Sequence, residues 1–415
     1  MECLNVFFEQ TWVGTLSLDE KRSFSFQYSR DWLDAPYAFP LSVSLPMQEA
    51  VFPDDKAKPF FANLLPESAV RELVARRLGI SENNDFMLLR HIGGECAGAI
   101  SILAESMAPE SSENYSYRPL TGEQLYDLIK EIPTRPLLAG EEGIRISLAG
   151  AQEKLVLLFK NSRFYIPLNG APGNFILKPG MLHFQSSIEN ESFCMMLAGA
   201  LGLPVPTVKI LTEKDQEVLL IQRYDRVFDK GSVRRLHQED FCQAMGLSHE
   251  LKYQADGGPG LKACFSLVRA HSANPIKDLQ YLLRWVFFNY LIGNMDAHAK
   301  NLSFLYDSKQ IRLAPFYDML CTDIYENLTK KSAMKIGGEN RPEWVMLRHW
   351  ERLAREVNIS PSVLKKQLSN FCEALPDGIH GTHLKFIEKY GHNQLVKAIV
   401  SAVQKRNIRT LNLLK

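Results

Sequence analysis

The chain has 415 residues, 46% hydrophobic, 10% aromatic and 23% charged, which excludes the disordered and fibrous classes and by length implies two or three packed units. Lys and Arg number 48 against 47 Asp and Glu, so no global positive field is present to drive nonspecific nucleic-acid binding. The seven cysteines form no CxxC pair and are odd in number, which argues against a disulfide framework and a structural zinc site and for reduced thiols.

The N-terminal MECLNVFFEQ has no basic stretch followed by an apolar core, and the longest apolar run, LLRWVFFNYLIG, is interrupted by Arg284 and too short to span a bilayer. The expectation is a buried helix in a cytoplasmic protein without membrane contact. From residue 1 to about 103, short strands in LNVFF, WVGTLSL and SFSFQY precede a helix over 68–78. There Val70, Leu73, Val74 and Leu78 recur at helical spacing, and Gly79 stands where a C-cap glycine would. This reads as a small α+β unit, and the polar ESMAPESSENYSYRP after it as an exposed connection. Strands follow in KLVLLF, RFYIPL, NFILKP, VKIL and EVLLIQRYDR. Among them sits a helix in which Ser186 and Glu189 have capping-box spacing, Phe193, Met196, Leu197 and Leu201 form an apolar stripe, and Gly202 follows. From about Asp240 the periodicity is helical almost throughout, as in Leu279, Leu282, Leu283, Val286, Phe287, Tyr290 and Leu291.

Chemistry concentrates in GNMDAHAKNLSF, residues 293–304. Phosphoryl transfer needs a carboxylate to accept the proton of an incoming hydroxyl and, a few residues on, an amide oxygen to hold Mg²⁺ against phosphates. Asp296 and Asn301, five apart, have the spacing of the kinase catalytic loop. Asp318, 22 positions after Asp296 in APFYDML, stands where a second magnesium ligand is expected, although no glycine follows in a DFG-like place. His298 has no His or Cys at i+3 or i+4, so it reads as a hydrogen-bonding loop residue rather than a metal ligand. Lys178 ends an apolar strand, where burial needs an anionic partner; it would neutralise the α and β phosphates, with Glu189 or Glu191 as an ion-pair candidate. Upstream, SLAGAQEK sets one glycine and small alanines where main-chain N–H groups could approach phosphates. Gln222 and Tyr224 lie on a connector whose main chain could meet an adenine edge. A polar turn, a plain hairpin and a solvated lysine are the alternatives at each place taken singly; the ordered set favours a kinase.

In NLLPES, GGECAGA, SLAGAQEK, ILKP, QRYDR, HQEDFCQAMG, GNMDAHAKNLSF and APFYDM, in that order, the chain resembles the HipA family of bacterial toxin kinases over nearly its whole length. The resemblance implies an α+β, two-lobed protein-kinase-like fold: an N-terminal α+β subdomain over 1–103, a β-rich nucleotide-binding small lobe over 120–239 and an all-helical catalytic large lobe over 240–415. It implies ATP and Mg²⁺ as cofactors, with Asp296 the catalytic base, Lys178 and His298 beside it, and Asn301 and Asp318 the metal ligands. Nucleotide would be held by Ala149, Gly150, Ala151, Gln152, Glu153, Lys154 and Lys178, by Gln222, Arg223 and Tyr224, and by Asp296, Ala297, His298, Tyr317 and Asp318. Where family members often have Glu, this chain has Gln222, a change of little weight if main-chain atoms make the contact. Ser147 matches a serine that family members autophosphorylate; a phosphate there would repel nucleotide and push the loop outward, an off switch.

The family's expected partners are a small helix-turn-helix HipB-like antitoxin, operator DNA reached only through it, and an aminoacyl-tRNA synthetase substrate, often glutamyl-tRNA synthetase. Phosphorylating that enzyme stalls translation and promotes dormancy or drug tolerance. Fusion of residues 1–103 to the rest favours a single-chain toxin. Two other readings remain: a small-molecule or lipid kinase, against which NLLPES and SLAGAQEK argue, and a catalytically silent corepressor, which has no need to keep Asp296, Asn301, Lys178 and Asp318.

Overall fold

The computed structural model describes residues 1–229, 232–307 and 310–415. In chain order its strands and α-helices are β1 (Glu2–Phe8), β2 (Thr11–Leu18), β3 (Phe24–Tyr28), α1 (Arg30–Asp34), α2 (Asp54–Ala62), α3 (Ser68–Leu78), α4 (Asp85–Ile92), β4 (Ile100–Ala104), β5 (Tyr117–Pro119) and α5 (Gly122–Glu131). Then come β6 (Leu155–Lys160), β7 (Arg163–Pro167), β8 (Phe175–Pro179), α6 (Ser187–Ala200), β9 (Val208–Glu213), β10 (Gln216–Gln222), β11 (Arg226–Asp229), β12 (Ser232–Arg235), β13 (His237–Asp240) and α7 (Phe241–Ala244). The remainder is α8 (Leu261–His271), α9 (Pro275–Ile292), β14 (Ser303–Asp307), β15 (Gln310–Leu313), α10 (Leu347–Glu356), α11 (Pro361–Tyr390) and α12 (Gln394–Leu414). No helix among the described residues is long and apolar enough to cross a membrane.

The chain divides into two compact units, one of Met1–Pro179, Leu211–His249 and Phe304–Ile311, the other of Gly180–Ile210, Glu250–Ser303 and Arg312–Lys415. The first is sheet-rich. One antiparallel sheet runs β3-β2-β1-β4 and another β5-β7-β6-β8-β10-β9. Alternation explains the first: Leu4 and Val6 of β1, Leu16 and Leu18 of β2, and Phe24, Phe26 and Tyr28 of β3 point inward and are buried. Helix α3 ends at Gly79, φ +67°, whose N–H caps Ala75 and Arg76 carbonyls, as its sequence position predicts. Strand β8 pairs antiparallel with β10 in a register that sets Lys178 opposite Leu219, so the lysine's backbone is fixed by the centre of the larger sheet.

The second unit is helical. Helix α9 carries Trp285, Phe287, Phe288 and Leu291, all buried, and Phe287 meets Trp350 of α10 and Phe371 of α11 at ring distances of 5.7 and 6.0 Å. Two local expectations change. Ser186 and Glu189 do not form a capping box: Ser186 sits at φ +53° without a side-chain cap, and the Asn393 amide of the α12 cap donates instead to Ser186 Oγ at 3.3 Å and Glu189 Oε1 at 2.9 Å. The helical run after Asp240 is also broken by β14 and β15, which join β13 in a three-stranded sheet; of these, only the strand-like LSFLY was visible in the sequence.

Candidate active site

In the second unit, the polar loop grows directly out of α9. The helix ends at Gly293, φ +78°, and a Cβ there would lie 2.7 Å from Arg406 Nη1 and 2.9 Å from Asp323 Cβ, so glycine is required by both backbone and space. Arg406 of α12 donates to Leu291 O at 3.0 Å and to the Asp323 carboxylate at 2.5 Å. The segment after Asp318 is then stitched to the loop: Met295 N donates to Thr322 Oγ1 at 2.7 Å, and Asp323 N to Gly293 O at 3.0 Å. Asn294 folds back on Asn289, their side chains 2.8 Å apart, and its Oδ1 accepts from Asp296 N at 3.1 Å.

These bonds bring together the expected metal ligands. Asn301 Nδ2 donates to Asp318 Oδ2 at 3.1 Å, while Asn301 Oδ1 accepts from His298 N at 3.0 Å. Asp318 adopts φ +59°, a conformation an L-residue takes at a cost and that clusters at functional sites. An amide and a carboxylate are hard oxygen donors of the kind Mg²⁺ takes, with its remaining positions left to water and phosphate; the pair therefore fits that ion. Among the described residues no cluster of three His, Cys, Asp or Glu side chains forms a conventional metal site. Tyr317 is anchored by its hydroxyl, 2.8 Å from Lys300 O and from Ser303 Oγ. Asp296 stands out: residues 291–295 and 297–302 are all buried, but Asp296 is exposed, and Tyr253 Oη donates to its Oδ1 at 2.8 Å.

In the first unit, Ser147 is fully buried. Its Oγ donates to Leu64 O at 2.8 Å and its N–H to Glu95 O at 2.9 Å. The following loop is pinned by Glu67 N donating to Gly150 O at 3.1 Å and closed by Lys154 Nζ donating to Ala149 O at 2.6 Å. Gly150, φ +108°, would place a Cβ 2.6 Å from that ammonium. Gln152 Nε2 donates to Pro179 O at 3.1 Å, tying the loop to the end of the strand that carries Lys178. Ala151 is exposed and Glu153 half-buried, while Lys178 is buried.

The connector after β10 divides by side chain. Gln222 is exposed, whereas the Arg223 guanidinium turns fully inward to Glu95 at 2.9 Å and Asp225 at 2.8 Å, so any nucleotide contact at 223 falls to its main chain. Glu95 is the hub of a charge cluster that sequence reading did not single out. It also takes Arg226 at 2.8 Å and Arg235 at 3.0 Å, and Asp225 accepts from Gly98 N at 2.9 Å. Burial alone would raise the Glu95 pKa, but Arg226, Arg235 and Arg223 together hold it below the usual carboxylate range. Asp225 is likewise held low, burial being outweighed by Arg223 and Arg226. The signal was present in GGECAGA and QRYDR, two of the matching pieces, but a charge destined for the interior carries no local mark.

A family model described as the HipA N-terminal domain matches residues 4–103, and one described as the HipA-like C-terminal domain matches 146–379. A Sinorhizobium fredii protein named as a kinase, Y4mE, is 39% identical over 380 residues, covering 91% of this chain and 90% of its own. The serine/threonine-protein kinase toxin HipA of Shewanella oneidensis is 30% identical over 382 residues, covering 88% and 86%. A solved complex of Shewanella oneidensis HipA with HipB and operator DNA aligns over 99% of this chain and 98% of that one, with a TM-score of 0.87 and 28% identity, so the mixed α+β, kinase-like architecture is shared.

Proposed function

The chain belongs to the HipA family, and from that premise we propose that it is a serine/threonine protein kinase toxin that transfers the γ-phosphoryl group of Mg-ATP to a protein hydroxyl. The observation that carries this reading is the loop geometry of the second unit, where Asn301 and Asp318 meet at 3.1 Å while Asp296, five residues from Asn301, projects from a buried loop. In this reading Asp296 accepts the proton of the acceptor hydroxyl as its oxygen bonds to the γ-phosphorus and ADP leaves. Asn301 and Asp318 would hold Mg²⁺, which when bound neutralises charge on the phosphates. Nucleotide contacts are proposed for Lys178, the main chain of 149–154 and the connector at 222–224 in the first unit, and for Ala297, His298 and Tyr317 in the second.

Ser147 fits the autophosphorylation assignment in one specific way. Its hydroxyl is buried and committed to Leu64 O, so it can take a phosphate only after the 147–154 segment leaves this position. A dianion cannot return to a site whose partner is a carbonyl oxygen. Phosphorylation would therefore trap the loop outward and switch the enzyme off; equal ATP affinity of the modified and unmodified protein would refute this. The partners proposed are a HipB-like helix-turn-helix antitoxin, through which alone operator DNA is reached, and in the cytoplasm an aminoacyl-tRNA synthetase such as glutamyl-tRNA synthetase.

The test of the substrate assignment is incubation of the dephosphorylated protein with γ-labelled ATP, Mg²⁺ and the host's aminoacyl-tRNA synthetases, followed by mass spectrometry of each labelled protein. Label on Ser147 and on one synthetase is expected, both absent with Asp296→Ala. Label on a small molecule or lipid alone would replace this reading with the corresponding kinase.

A further inference from the structure

We infer that Tyr253 is an acceptor-side gate, a phenol that occupies the base until a protein hydroxyl displaces it. The inference rests on the proposal that Asp296 is that base. Three observations carry it. First, the Tyr253 hydroxyl donates to Asp296 Oδ1 at 2.8 Å, which is the bond an incoming serine hydroxyl must make to the base before its proton is taken. Second, Asp296 is exposed while its neighbours in the loop are buried, and Tyr253 belongs to a segment, 250–258, in which no residue is buried. The phenol thus approaches from the open side, the side from which a protein acceptor arrives. A residue serving only to orient the base would be expected from the buried side, where Asn294 already holds the Asp296 main chain.

Third, the contact is built into the backbone. Gly258 N donates to Tyr253 O at 2.9 Å and Gln254 N to Ala333 O at 3.2 Å, while Ala333 N donates to Met295 O at 2.8 Å. Gln254 Oε1 accepts from Lys335 N at 2.7 Å, and the Tyr253 ring stands edge-on to His298 at 5.3 Å. The turn at 253–258, the 333–335 segment and the catalytic loop are one hydrogen-bonded chain. Tyr253 is consequently held in register with Asp296, and an acceptor segment that rearranges 333–335 would draw the phenol away. A gate of this kind suppresses phosphoryl transfer to water and to passing hydroxyls, and reserves the base for acceptors that bind well enough to open it.

The experiment is steady-state kinetics of the full chain with Mg-ATP, using casein as a generic serine acceptor and, separately, ADP release without any protein acceptor. Tyr253→Phe keeps the ring against His298 and removes only the hydroxyl. The gate predicts a fall in the casein KM of about tenfold, the worth of one hydrogen bond to a charged group, an unchanged ATP KM, and faster acceptor-free ADP release. A fall in kcat with unchanged casein KM would make Tyr253 a positioning residue and overturn the gate, as would kinetics identical to wild type. Asp296→Ala separates the two levels: if it is as active as wild type, or wild type is inert in both formats, the reading of Asp296 fails and takes the gate with it. An inactive Asp296→Ala beside an unaltered Tyr253→Phe rejects the gate alone.

Discussion

At the residue scale, Glu95 joins parts of the first unit that are far apart in sequence. Its main chain receives Ser147 N and donates from its own N–H to Arg145 O at 2.7 Å, while its carboxylate collects three buried arginines. It therefore ties the segment entering the loop to the connector after β10. Removing one member of a buried ion cluster leaves charges unpaired in low dielectric, at a cost of about 3–5 kcal/mol. Glu95→Gln preserves shape and removes the charge, so its unfolding free energy should fall by an amount of that order, read as a lower urea midpoint at unchanged m. An unchanged midpoint would mean that Tyr115, Gly170 and Asp225, which also contact Arg235 and Arg223, suffice to hold the arginines. The charge cluster could not be read from residues 93–99 alone, because the three arginines lie more than 120 positions away.

At the element scale, β13 places His237 and Glu239 two residues apart, hence on one face. His237 Nε2 lies 2.7 Å from Leu41 O; Glu239 accepts from Val43 N at 3.0 Å, from Tyr306 Oη at 2.5 Å, and from the Ser42 hydroxyl. Burial pushes the Glu239 carboxyl up to about 7, against the opposing bonds from Ser42 and Tyr306, and pushes His237 down to about 4, against its bond to Leu41. The two linkages have opposite sign. Between the ordinary 4.5 and about 7 the folded state holds the Glu239 proton that the unfolded chain releases, so stability falls as pH rises. Between about 4 and the ordinary 6.5 the unfolded chain binds the His237 proton that the fold excludes, so stability rises with pH. In wild type these partly cancel. Glu239→Gln removes the carboxyl linkage and keeps that of His237, so the variant should gain more unfolding free energy than wild type on going from about pH 5 to about pH 7. Parallel urea-unfolding profiles for the two proteins would contradict it.

The same scale shows where sequence reading succeeded. The α3 stripe with Gly79, the α9 run, and strands β6 to β10 of the larger sheet were visible because each has its own periodicity, whereas edge strand β5 was not, because Tyr117–Pro119 falls in the polar stretch expected to be an exposed connection. The absence of a capping box at Ser186 was not, because spacing cannot show that Asn393, the N-cap of α12, engages both side chains. Nor was the role of Arg406, whose clamp on Leu291 and Asp323 joins residues more than 80 apart.

For the whole molecule, the proposed chemistry could be placed on the sequence because it needs only one short loop plus one aspartate, GNMDAHAKN and Asp318, and the loop folds as a local unit through Asn294, His298 and Asn301. The gate at Tyr253 was illegible, since nothing in KYQADGG marks a phenol aimed at a residue 43 positions on. The residues of the proposed roles also fall in different units: Lys178 and the 149–154 loop in the first, the proposed base Asp296 and proposed metal ligands Asn301 and Asp318 in the second. This division predicts separable defects. The most direct test is single-turnover transfer of the γ-phosphoryl group from Mg-ATP, with nucleotide affinity measured in parallel, for wild type, Lys178→Met and Asp296→Asn. The account predicts that Asp296→Asn binds ATP as wild type does but transfers at least about a hundredfold more slowly, the scale of general-base catalysis, and that Lys178→Met loses affinity and transfer together. Transfer surviving intact in Asp296→Asn would contradict the assignment of the base and with it the account of the site.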